Sequence, residues 1–477
     1  MEQIIGESGK TGMVDFIKEK ITKELKEAYP DISFGETDRL RTVMSRIYGK
    51  TQRQFVIVID EWDAVFRTWK EDDAGHDQYL DFLHRHQGKQ IVKVVSGFRR
   101  CGKSVLFDLF MKNLLAQGVR EENIIAINFE DLAFEKLQEY HALYKYVTTR
   151  MQKDGMNYIF LDEIQHVPEF EKAVDSLFIK ENTDVYITGS NAYFMSGELA
   201  TLLSGRYVEL KMLPLSFREY YGACGLATNH RLKEIYERYI SDSSLPYTLQ
   251  LNSRQQDITE YLSGIYSTVI LKDVVGRLHI TDVNMLESIV KYLFANIGSL
   301  LSARKIADAM TSAGRKIDGK TVERYLKGLQ DSCLIYPSER FDISGKELLK
   351  INQKYYVVDA ALRYLKVGRH DQDTGHILEN TVYLELLRRG YNVYVGSMTG
   401  GEVDFVTKDA QDRLAYYQVS QSTFQHEVLE RELKPLQKIK DNYPKYLLTL
   451  DEIDATADYN GIRKENVLKW LLGELGD

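Results

Sequence analysis

The sequence predicts an α/β fold in which a parallel β-sheet carries a phosphate-binding loop. The first observation is a regular alternation of short apolar strands and helical stretches between residues 91 and 213. This order is typical of a parallel sheet covered by helices on both faces. The second observation is the octet GFRRCGKS, and the third is an Asp-Glu pair that ends a later strand. Together they predict a sheet whose carboxyl-terminal edge binds phosphate groups.

Length, composition and charge limit the classes of protein that fit the chain. Its 477 residues exceed the usual size of a single hydrophobic core, so several domains are expected. The formal net charge of −8 gives no overall preference for nucleic acid, although a local basic surface stays open. The three cysteines are too widely spaced for a disulfide framework or a metal-ligand motif. Since we find no targeting signal and no apolar run of membrane-spanning length, the chain is expected in the cytoplasm, without a membrane partner.

The order of predicted elements changes along the chain. Strands are expected at residues 91–95, 123–131, 157–163, 184–190 and 207–213. Residues 217–277 are mainly helical, and residues 285–338 follow the order helix, helix, helix, strand that suits a winged helix. Further strands are expected at residues 354–359, 391–396, 403–408 and 415–420.

The octet GFRRCGKS matches the pattern G-x-x-x-x-G-K-[ST] at every fixed position and lies between a strand and a helix. Gly97 and Gly102 would let backbone N–H groups wrap a phosphate, and the helix that begins near Lys103 adds the positive end of its dipole. Lys103 is expected to bridge the β- and γ-phosphates and Ser104 to hold Mg²⁺. Arg100, in the same loop, is counted among the nucleotide-binding residues. The octet therefore predicts ATP and Mg²⁺ as cofactors.

An acidic pair ends the strand at residues 157–163. Asp162 stands where a carboxylate would bind Mg²⁺ through water, and Glu163 is placed to orient the water that attacks the γ-phosphate. Between the octet and this pair the sequence has room for one strand and its helix, so the two motifs can be neighbours in space. The sequence therefore assigns Asp162 to cofactor binding and Glu163 to catalysis.

Two further segments contain candidate catalytic residues. Ser190 and Asn191 end the next strand, where short polar groups can sense the γ-phosphate or hold the water, although they also suit an ordinary turn. Arg206 precedes the last strand of the series. It is either an arginine finger, for its own or a neighbouring subunit's nucleotide, or a structural arginine. A homo-oligomer therefore stays open.

Three stretches read GFRRCGKS, IFLDEIQHV and ITGSNAYFMSGELATLLSGRYVELKMLPLSFREY. Together with the C-terminal region they resemble a prokaryotic family of AAA-type ATP-binding proteins that carry a C-terminal domain of unknown function. The resemblance implies a P-loop NTPase sheet in which the P-loop strand lies beside the strand that ends at Ser190. After the sheet it implies a helical lid, a winged helix and a nuclease-like α/β domain. The expected segments are residues 1–84 for a truncated AAA-like segment, 85–216 for the ATPase core, 217–280 for the lid, 281–345 for the winged helix and 346–477 for the nuclease-like domain.

The first 84 residues contain a second acidic strand end that has no phosphate loop of its own. The stretch FVIVIDEWD ends in Asp60 and Glu61, and residues 13–84 resemble the middle of another AAA-type family. The nearby sequence GESGKT has Ile4 where the first glycine of a loop belongs, and too few residues precede it to form a strand. Asp60 and Glu61 are therefore predicted to take no part in hydrolysis, and one ATP site per chain is expected.

The winged-helix segment contains a candidate recognition helix. Lys320, Arg324 and Lys327 lie at helical spacing where such a helix presents cations to phosphates and bases, and Glu323 lies among them. Winged helices also dock on proteins, so double-stranded DNA and a protein partner both stay open.

The last segment resembles a degenerate restriction-endonuclease-like fold, with Glu379 on a helix and Asp404 on a strand. An active enzyme of this type would have Glu-x-Lys where this chain has Gln418-Val419-Ser420. Loss of the lysine and of one acid weakens a divalent-metal site, although Glu379, Glu402 and Asp404 remain as ligand candidates. A nuclease fold reused for binding is expected, with metal-dependent DNA cleavage as the alternative.

These observations lead to one main hypothesis and one rival. The main hypothesis is an ATPase whose Mg²⁺-dependent cycle moves the lid and C-terminal segments on a DNA or protein partner. The rival is a nucleotide-gated binding protein that holds ATP and seldom hydrolyses it. Both rest on the same octet, and they differ in the role of Glu163.

Overall fold

The computed structural model describes residues 77–190, 203, 205–224, 232–251, 253–370 and 373–474. These residues belong to one compact unit of the chain. The predictions for residues 1–76, including those for Asp60 and Glu61, lie outside the described residues, and so does the prediction for Asn191.

The amino-terminal half of this unit is built on a five-stranded sheet. Its strands are β1 (Val92–Gly97), β2 (Ile124–Asn128), β3 (Asn157–Asp162), β4 (Thr183–Ser190) and β5 (Tyr207–Met212). They are arranged in the order β2-β3-β4-β1-β5, and every neighbouring pair is parallel. The predicted parallel sheet, with the loop strand β1 beside β4, is confirmed.

Helices cover both faces of this sheet because its central strands are apolar on both sides. These helices are α1 (Asp77–His86), α2 (Lys103–Ala116), α3 (Tyr140–Arg150) and α4 (Phe170–Phe178). On one face, Phe107 and Phe110 of α2 pack against Phe160 of β3 and Tyr186 of β4. On the other face, α3 and α4 share a separate hydrophobic core with β1 to β4. The six residues of β3 are all buried, as a continuous apolar run predicts.

One buried ion pair joins the two strands at the centre of the sheet. Lys93 of β1 donates to Asp184 of β4, and both side chains are fully buried. Asp184 also accepts hydrogen bonds from the backbone N–H of Gly88 at 2.7 Å and from the hydroxyl of Tyr186 at 2.9 Å. Burial lowers the pKa of Lys93, and the charge of Asp184 opposes that effect. Because a buried charge is costly without a partner, the pair fixes the register of β1 against β4.

A helical segment follows the first sheet, as predicted. Its helices are α5 (Phe217–Ala223), α6 (Leu232–Asp242), α7 (Gln255–Thr268), α8 (Val283–Ala295), α9 (Ala303–Ser312) and α10 (Gly319–Asp331). Helix α7 continues into a π-helical segment, Val269–Gly276. Short 3₁₀ turns lie at Glu121–Asn123, Leu132–Leu137, Ile164–His166 and Pro246–Leu251. None of the helices in the described part of the chain is long and apolar enough to cross a membrane.

The carboxyl-terminal part is built on a mixed sheet of eight strands. They are β6 (Ile335–Asp342), β7 (Glu347–Val357), β8 (Asn392–Met398), β9 (Gly401–Lys408), β10 (Leu414–Ser420), β11 (Lys445–Thr449), β12 (Ala457–Tyr459) and β13 (Ile462–Asn466), in the order β12-β13-β11-β10-β9-β8-β6-β7. Its helices are α11 (Ala360–Val367), α12 (Thr374–Arg388), α13 (His426–Lys438) and α14 (Val467–Leu472). The four strands predicted after residue 350 overlap β7 to β10, whereas β11 to β13 and α13 were not predicted.

The hairpin formed by β6 and β7 belongs to this second sheet. Strand β6 pairs antiparallel with β7 and parallel with β8. Residue 345, where the sequence suggested a segment boundary, lies in the turn between Asp342 and Glu347. Helices α8 to α10 are thus connected to the carboxyl-terminal sheet by a pair of strands that are part of that sheet.

A single hydrophobic core extends through the first sheet, the helices and the second sheet. It runs from Tyr79 to Leu472 and includes residues of α2, α6, α8, α12 and α14. Polar contacts cross the same junction. Arg388 of α12 donates to the carbonyl oxygen of Pro214 at 2.7 Å, and the backbone N–H of Ser244 donates to Asp359 at 2.7 Å. The first sheet is therefore packed directly against the segments that follow it.

Candidate nucleotide site

The loop between β1 and α2 has the backbone geometry of a phosphate cradle. Strand β1 ends at Gly97, and α2 begins at Lys103 with Gly102 at its N-cap. Gly102 has φ 108° and ψ 17°, a left-handed conformation that glycine adopts without steric cost. No side chain caps this helix, so its first N–H groups point into the loop with the positive end of the helix dipole.

Gly97 has a packing role in addition to its place in the phosphate-loop motif. A Cβ atom at this position would lie 2.2 Å from the carbonyl oxygen of Met212 on β5. The sequence motif predicts only that Gly97 helps the backbone to bind phosphate. The structure adds that β1 and β5 approach each other closely where the loop begins, so Gly97 also permits the packing of the two strands.

Lys103 lies across the loop and faces the acidic pair. Its side chain is buried, and its Nζ atom is 3.5 Å from the carbonyl oxygen of Gly97 and 3.4 Å from that of Phe98. The same atom is 3.8 Å from Oε1 of Glu163. Two groups from distant parts of the sequence, an ammonium and a carboxylate, therefore meet above the loop at the carboxyl-terminal edge of the sheet.

Asp162 and Ser104 are brought together as the sequence predicted for a shared Mg²⁺ ion. The hydroxyl of Thr188 donates to the carboxylate of Asp162, which is buried, and the hydroxyl of Ser104 lies near the same carboxylate. Burial raises the pKa of Asp162, and the two hydroxyls oppose that effect. A hydroxyl and a carboxylate are hard oxygen ligands of the kind that Mg²⁺ prefers.

These residues fit Mg²⁺ only as partial ligands. Among the described residues, Asp162 belongs to no group of three His, Cys, Asp or Glu side chains that could hold a metal ion by itself. An ion at Ser104 and Asp162 would complete its coordination with water and phosphate oxygens, which is the usual arrangement for Mg²⁺ bound with a nucleotide.

Glu163 is held in an unusual backbone conformation. It has φ 55° and ψ 46°, and its N–H donates to Oγ1 of Thr188 at 3.0 Å. Its carboxylate accepts a hydrogen bond from the side-chain amide of Gln165 and faces Lys103. Left-handed backbone at a residue other than glycine is costly and persists where the surroundings enforce it, often at functional sites. Here Thr188 helps to enforce it.

Thr188 is the residue of this site that sequence reasoning missed. Its hydroxyl donates to Asp162 and accepts from the N–H of Glu163, so one side chain on β4 positions both acids at the end of β3. A signal was present in the sequence. Thr188 is a polar residue within the apolar strand DVYITGS and is completely buried. A buried hydroxyl requires a hydrogen-bond partner, and the neighbouring strand ends in acids.

Ser190 and Arg206 lie at opposite ends of the parallel strands, Ser190 at the carboxyl-terminal end and Arg206 at the amino-terminal end. Ser190 ends β4, and its backbone is paired with Gly97, next to the loop. Arg206 precedes β5 and accepts a backbone hydrogen bond from Val92 at the start of β1, about 20 Å along the strand from the loop. Its guanidinium lies 5.5 Å from the ring centroid of Phe178. The structure does not bring Arg206 to its own chain's loop, so a role toward nucleotide would require a second copy of the chain.

The loop also contacts the helical segment that follows the sheet. Arg99 donates to both carboxylate oxygens of Asp273, at 3.0 and 3.3 Å, and lies 4.0 Å from Glu130. Asp273 belongs to the π-helical segment and is 7% exposed. Arg100 has a left-handed backbone with φ 65°. Burial raises the pKa of Tyr261 on α7 to about 12, and the nearby charge of Arg100 opposes that effect. Sequence reasoning singled out Arg100 and missed the pair between Arg99 and Asp273.

The sheet order, the glycine-flanked loop and the acidic pair define a P-loop protein of the AAA class. Residues 89–221 match the family described as AAA domain, and residues 233–373 match a domain of unknown function, DUF8612. The match to the AAA family covers all five strands, and the second match covers α7 to α10 and nearly all of α6, together with β6, β7 and α11. The recognition of an AAA domain followed by a domain of unknown function is confirmed.

Two relatives cover most of the chain. An uncharacterized protein of Haemophilus influenzae is 37% identical over 400 residues, which are 83% of this chain and 98% of that protein. The uncharacterized protein MJ1544 of Methanocaldococcus jannaschii is 30% identical over 374 residues, which are 73% of this chain and 79% of that protein. The chain belongs to the family of AAA-domain proteins that these two represent.

Solved structures show a more distant likeness. The Walker-type ATPase PaBY2304 of Pyrococcus abyssi is 15% identical, with a TM-score of 0.43 over 62% of this chain and 96% of that chain. AMPPCP-bound DnaA from Aquifex aeolicus is 12% identical, with a TM-score of 0.26 over 58% of this chain and 90% of that chain. At these scores the likeness carries no conclusion about function.

Replacing Thr188 by valine tests its hold on the acidic pair. Thr188→Val keeps the shape of the side chain and removes the hydroxyl that bonds Asp162 and Glu163. We expect an affinity for Mg²⁺-ATP about tenfold lower, since a hydrogen bond to a charged group contributes roughly 1.5 kcal/mol or more. Affinity for ATP in EDTA should change little. Calorimetric titration with and without Mg²⁺ measures both.

Two controls accompany this variant. Thr188→Ser retains the hydroxyl and should bind Mg²⁺-ATP nearly as the original chain does. Thr183→Val removes another buried hydroxyl from β4, one that donates to the carbonyl oxygen of Leu177 at 2.7 Å. It lies at the opposite end of the strand and should leave nucleotide binding unchanged. Equal Mg²⁺-ATP affinity in Thr188→Val and the original chain would contradict the assigned role.

Proposed function

We propose that this protein hydrolyses ATP with the help of Mg²⁺. The proposal is carried by one observation, the gathering of Lys103, Ser104, Asp162 and Glu163 at a single edge of the parallel sheet. These four residues supply a phosphate cation, a pair of oxygen ligands and a carboxylate. This is the set that phosphoryl transfer to water requires.

Each residue has a distinct task in the proposed reaction. Lys103 and the N–H groups at the start of α2 hold the β- and γ-phosphates. Ser104 and Asp162 would hold Mg²⁺, which when bound supplies positive charge that neutralises phosphate oxygens. Glu163 orients a water molecule and accepts its proton, while the water oxygen bonds to the γ-phosphorus and the bond to the leaving ADP breaks.

The Glu163→Gln variant distinguishes hydrolysis from binding alone. Glutamine keeps the size of the side chain and cannot accept the proton. We expect steady-state turnover at least about a hundredfold lower, with ATP affinity within a few fold of the original. Glu61→Gln is the matched control, because Glu61 also follows Asp at a predicted strand end but has no phosphate loop. Turnover in the original chain no faster than in Glu163→Gln would favour a nucleotide-gated binding protein.

We infer that the nucleotide state is transmitted to the helical segment through Arg99. This residue stands in the loop that contacts phosphate, and it bonds a nearly buried carboxylate, Asp273, in the π-helical segment. π-Helical turns inside helices often mark functional sites. Since partners in a buried charge pair must move together or leave a charge unpaired, a shift of the loop would also shift Val269–Gly276.

Hydrogen exchange tests this coupling. In the Glu163→Gln background, saturating ATP and ADP with Mg²⁺ should give different exchange rates for amides of residues 269–276. Asp273→Asn should remove most of this difference and change ATP affinity only a few fold. Asp308→Asn is the control, because Asp308 belongs to an exposed pair with Arg304 on α9. An undiminished difference in Asp273→Asn would rule out Arg99 as the link.

We also propose double-stranded DNA as a partner of α10. Lys320 and Arg324 lie on the exposed face of this helix, which follows α9 in the order of a helix-turn-helix. Lys327, the third cation of the predicted set, pairs with Asp331 at 2.8 Å. Glu323 lies on the same exposed face, so the two free cations are expected to give modest affinity that depends on salt. A protein-docking role is the alternative.

Charge reversal on α10 separates these two roles. Lys320→Glu combined with Arg324→Glu should weaken binding to a DNA duplex at least about tenfold at low salt, and it should remove any stimulation of ATP turnover by DNA. Lys434→Glu with Lys440→Glu changes the net charge equally at two exposed positions outside α10. Fluorescence anisotropy with labelled duplex gives the affinities. Equal loss in both double variants, or no binding in the original chain, would favour protein docking.

A further inference from the structure

Three carboxylates of the C-terminal part converge on one buried lysine. Lys354 lies on β7, and its side chain is 5% exposed. Its Nζ atom is 3.0 Å from Oε1 of Glu379 on α12, and on β9 it is 2.7 Å from Oε1 of Glu402 and 4.0 Å from Oδ1 of Asp404. Tyr356 donates its hydroxyl to the same oxygen of Glu379 at 2.6 Å. The cation among these three carboxylates is therefore a side chain of the protein, the ammonium of Lys354.

This lysine does not come from the strand on which sequence reasoning looked for one. By the resemblance noted in the sequence, Gln418 and Ser420 of β10 stand where an active restriction-endonuclease-like enzyme would have its acid and its lysine. The carbonyl oxygen of the Gln418 side chain accepts from the N–H of Asp404 at 3.4 Å, and its amide donates to Glu432 at 2.9 Å. Ser420 donates to a backbone carbonyl. Strand β10 therefore closes the centre with neutral groups, and β7 supplies the charge.

We propose that Lys354 is the resident cation of this centre and takes the place that a divalent metal ion would need among Glu379, Glu402 and Asp404. A metal ion and an ammonium ion cannot share these oxygens, because two cations about 4 Å apart in a buried site repel strongly. All three carboxylates lie within 4.0 Å of the ammonium, so the oxygens that would bind a metal ion already face a cation. The ammonium then offsets part of the negative charge of the three acids without a metal, and the centre does not cleave DNA.

Strand β7, which carries Lys354, also joins the connection between α8 and α9 to the second sheet. Residue 353, next to Lys354, exchanges two backbone hydrogen bonds with Leu301, which directly precedes the N-cap of α9. The N–H of Gly298 donates to the carbonyl oxygen of Tyr355, and Gly298 lies against His376 and Glu379. Strand β7 is thus held to α12 and β9 by charge and to the α8–α9 connection by backbone bonds. The nuclease-like fold serves as a platform for these helices.

Manganese binding tests the proposal. All proteins carry Ser104→Ala, which disables the nucleotide site, and Mn²⁺ is followed by electron paramagnetic resonance and by thermal unfolding. We expect no Mn²⁺ site with Kd below 1 mM in the parent, on the order of the weakest dedicated divalent sites. Lys354→Met should gain one such site and melt several degrees higher with Mn²⁺. Lys464→Met is the control, since Lys464 is equally buried but pairs at 2.9 Å with the single carboxylate of Asp451.

Three outcomes would overturn the proposal. The first is Mn²⁺ binding or DNA cleavage by the parent that Asp404→Ala removes, because Lys354 would then accompany a metal. The second is a folded Lys354→Met variant with no Mn²⁺ site. If Lys354→Met does not fold, Lys354→Met with Glu379→Gln removes one charge of each sign and should fold again. The third outcome is that Lys354→Met with Glu379→Gln is no more stable than Lys354→Met alone. This result would show that the ammonium does not stabilise the carboxylates around it.

Discussion

The nucleotide site depends on the register of β1 between β4 and β5. On one side, the buried pair of Lys93 and Asp184 ties β1 to β4. On the other side, the carbonyl oxygen of Met212 approaches so closely that only glycine fits at position 97. These contacts set the position, along the strand direction, at which β1 ends and the loop begins. Lys103 can reach Glu163, and Ser104 can reach Asp162, because the loop starts at that position beside the end of β4.

A second layer of contacts ties the same loop to the rest of the molecule. Arg99 bonds Asp273 in the helical segment, and the hydrophobic core beneath the loop continues into the second sheet. The proposed coupling would carry a change in the loop beyond the first sheet. In the second sheet, the cluster around Lys354 joins β7 to α12 and β9, and backbone hydrogen bonds join β7 to the connection between α8 and α9.

Sequence reasoning predicted the first sheet and its principal side chains because both are encoded locally. An apolar run followed by Gly-x-x-x-x-Gly-Lys-Ser or by Asp-Glu needs no knowledge of the fold. Thr188, the Arg99–Asp273 pair and Lys354 were missed because their roles arise from partners far away in the sequence. Strands β11 to β13 were missed because they are short and contain polar residues, and the hairpin of β6 and β7 carries no compositional sign of the sheet that it joins.

One continuous hydrophobic core joins the first sheet, the helical segment and the second sheet in the described part of the chain. A fragment that ended near residue 216 would keep the candidate nucleotide-binding residues of the loop and of β3 but would expose apolar side chains of α2 and β5 that share one core with later segments. Exposed apolar area of this kind favours aggregation. Mutations in the second sheet should therefore reduce the amount of folded protein, even though they lie far from the candidate nucleotide site.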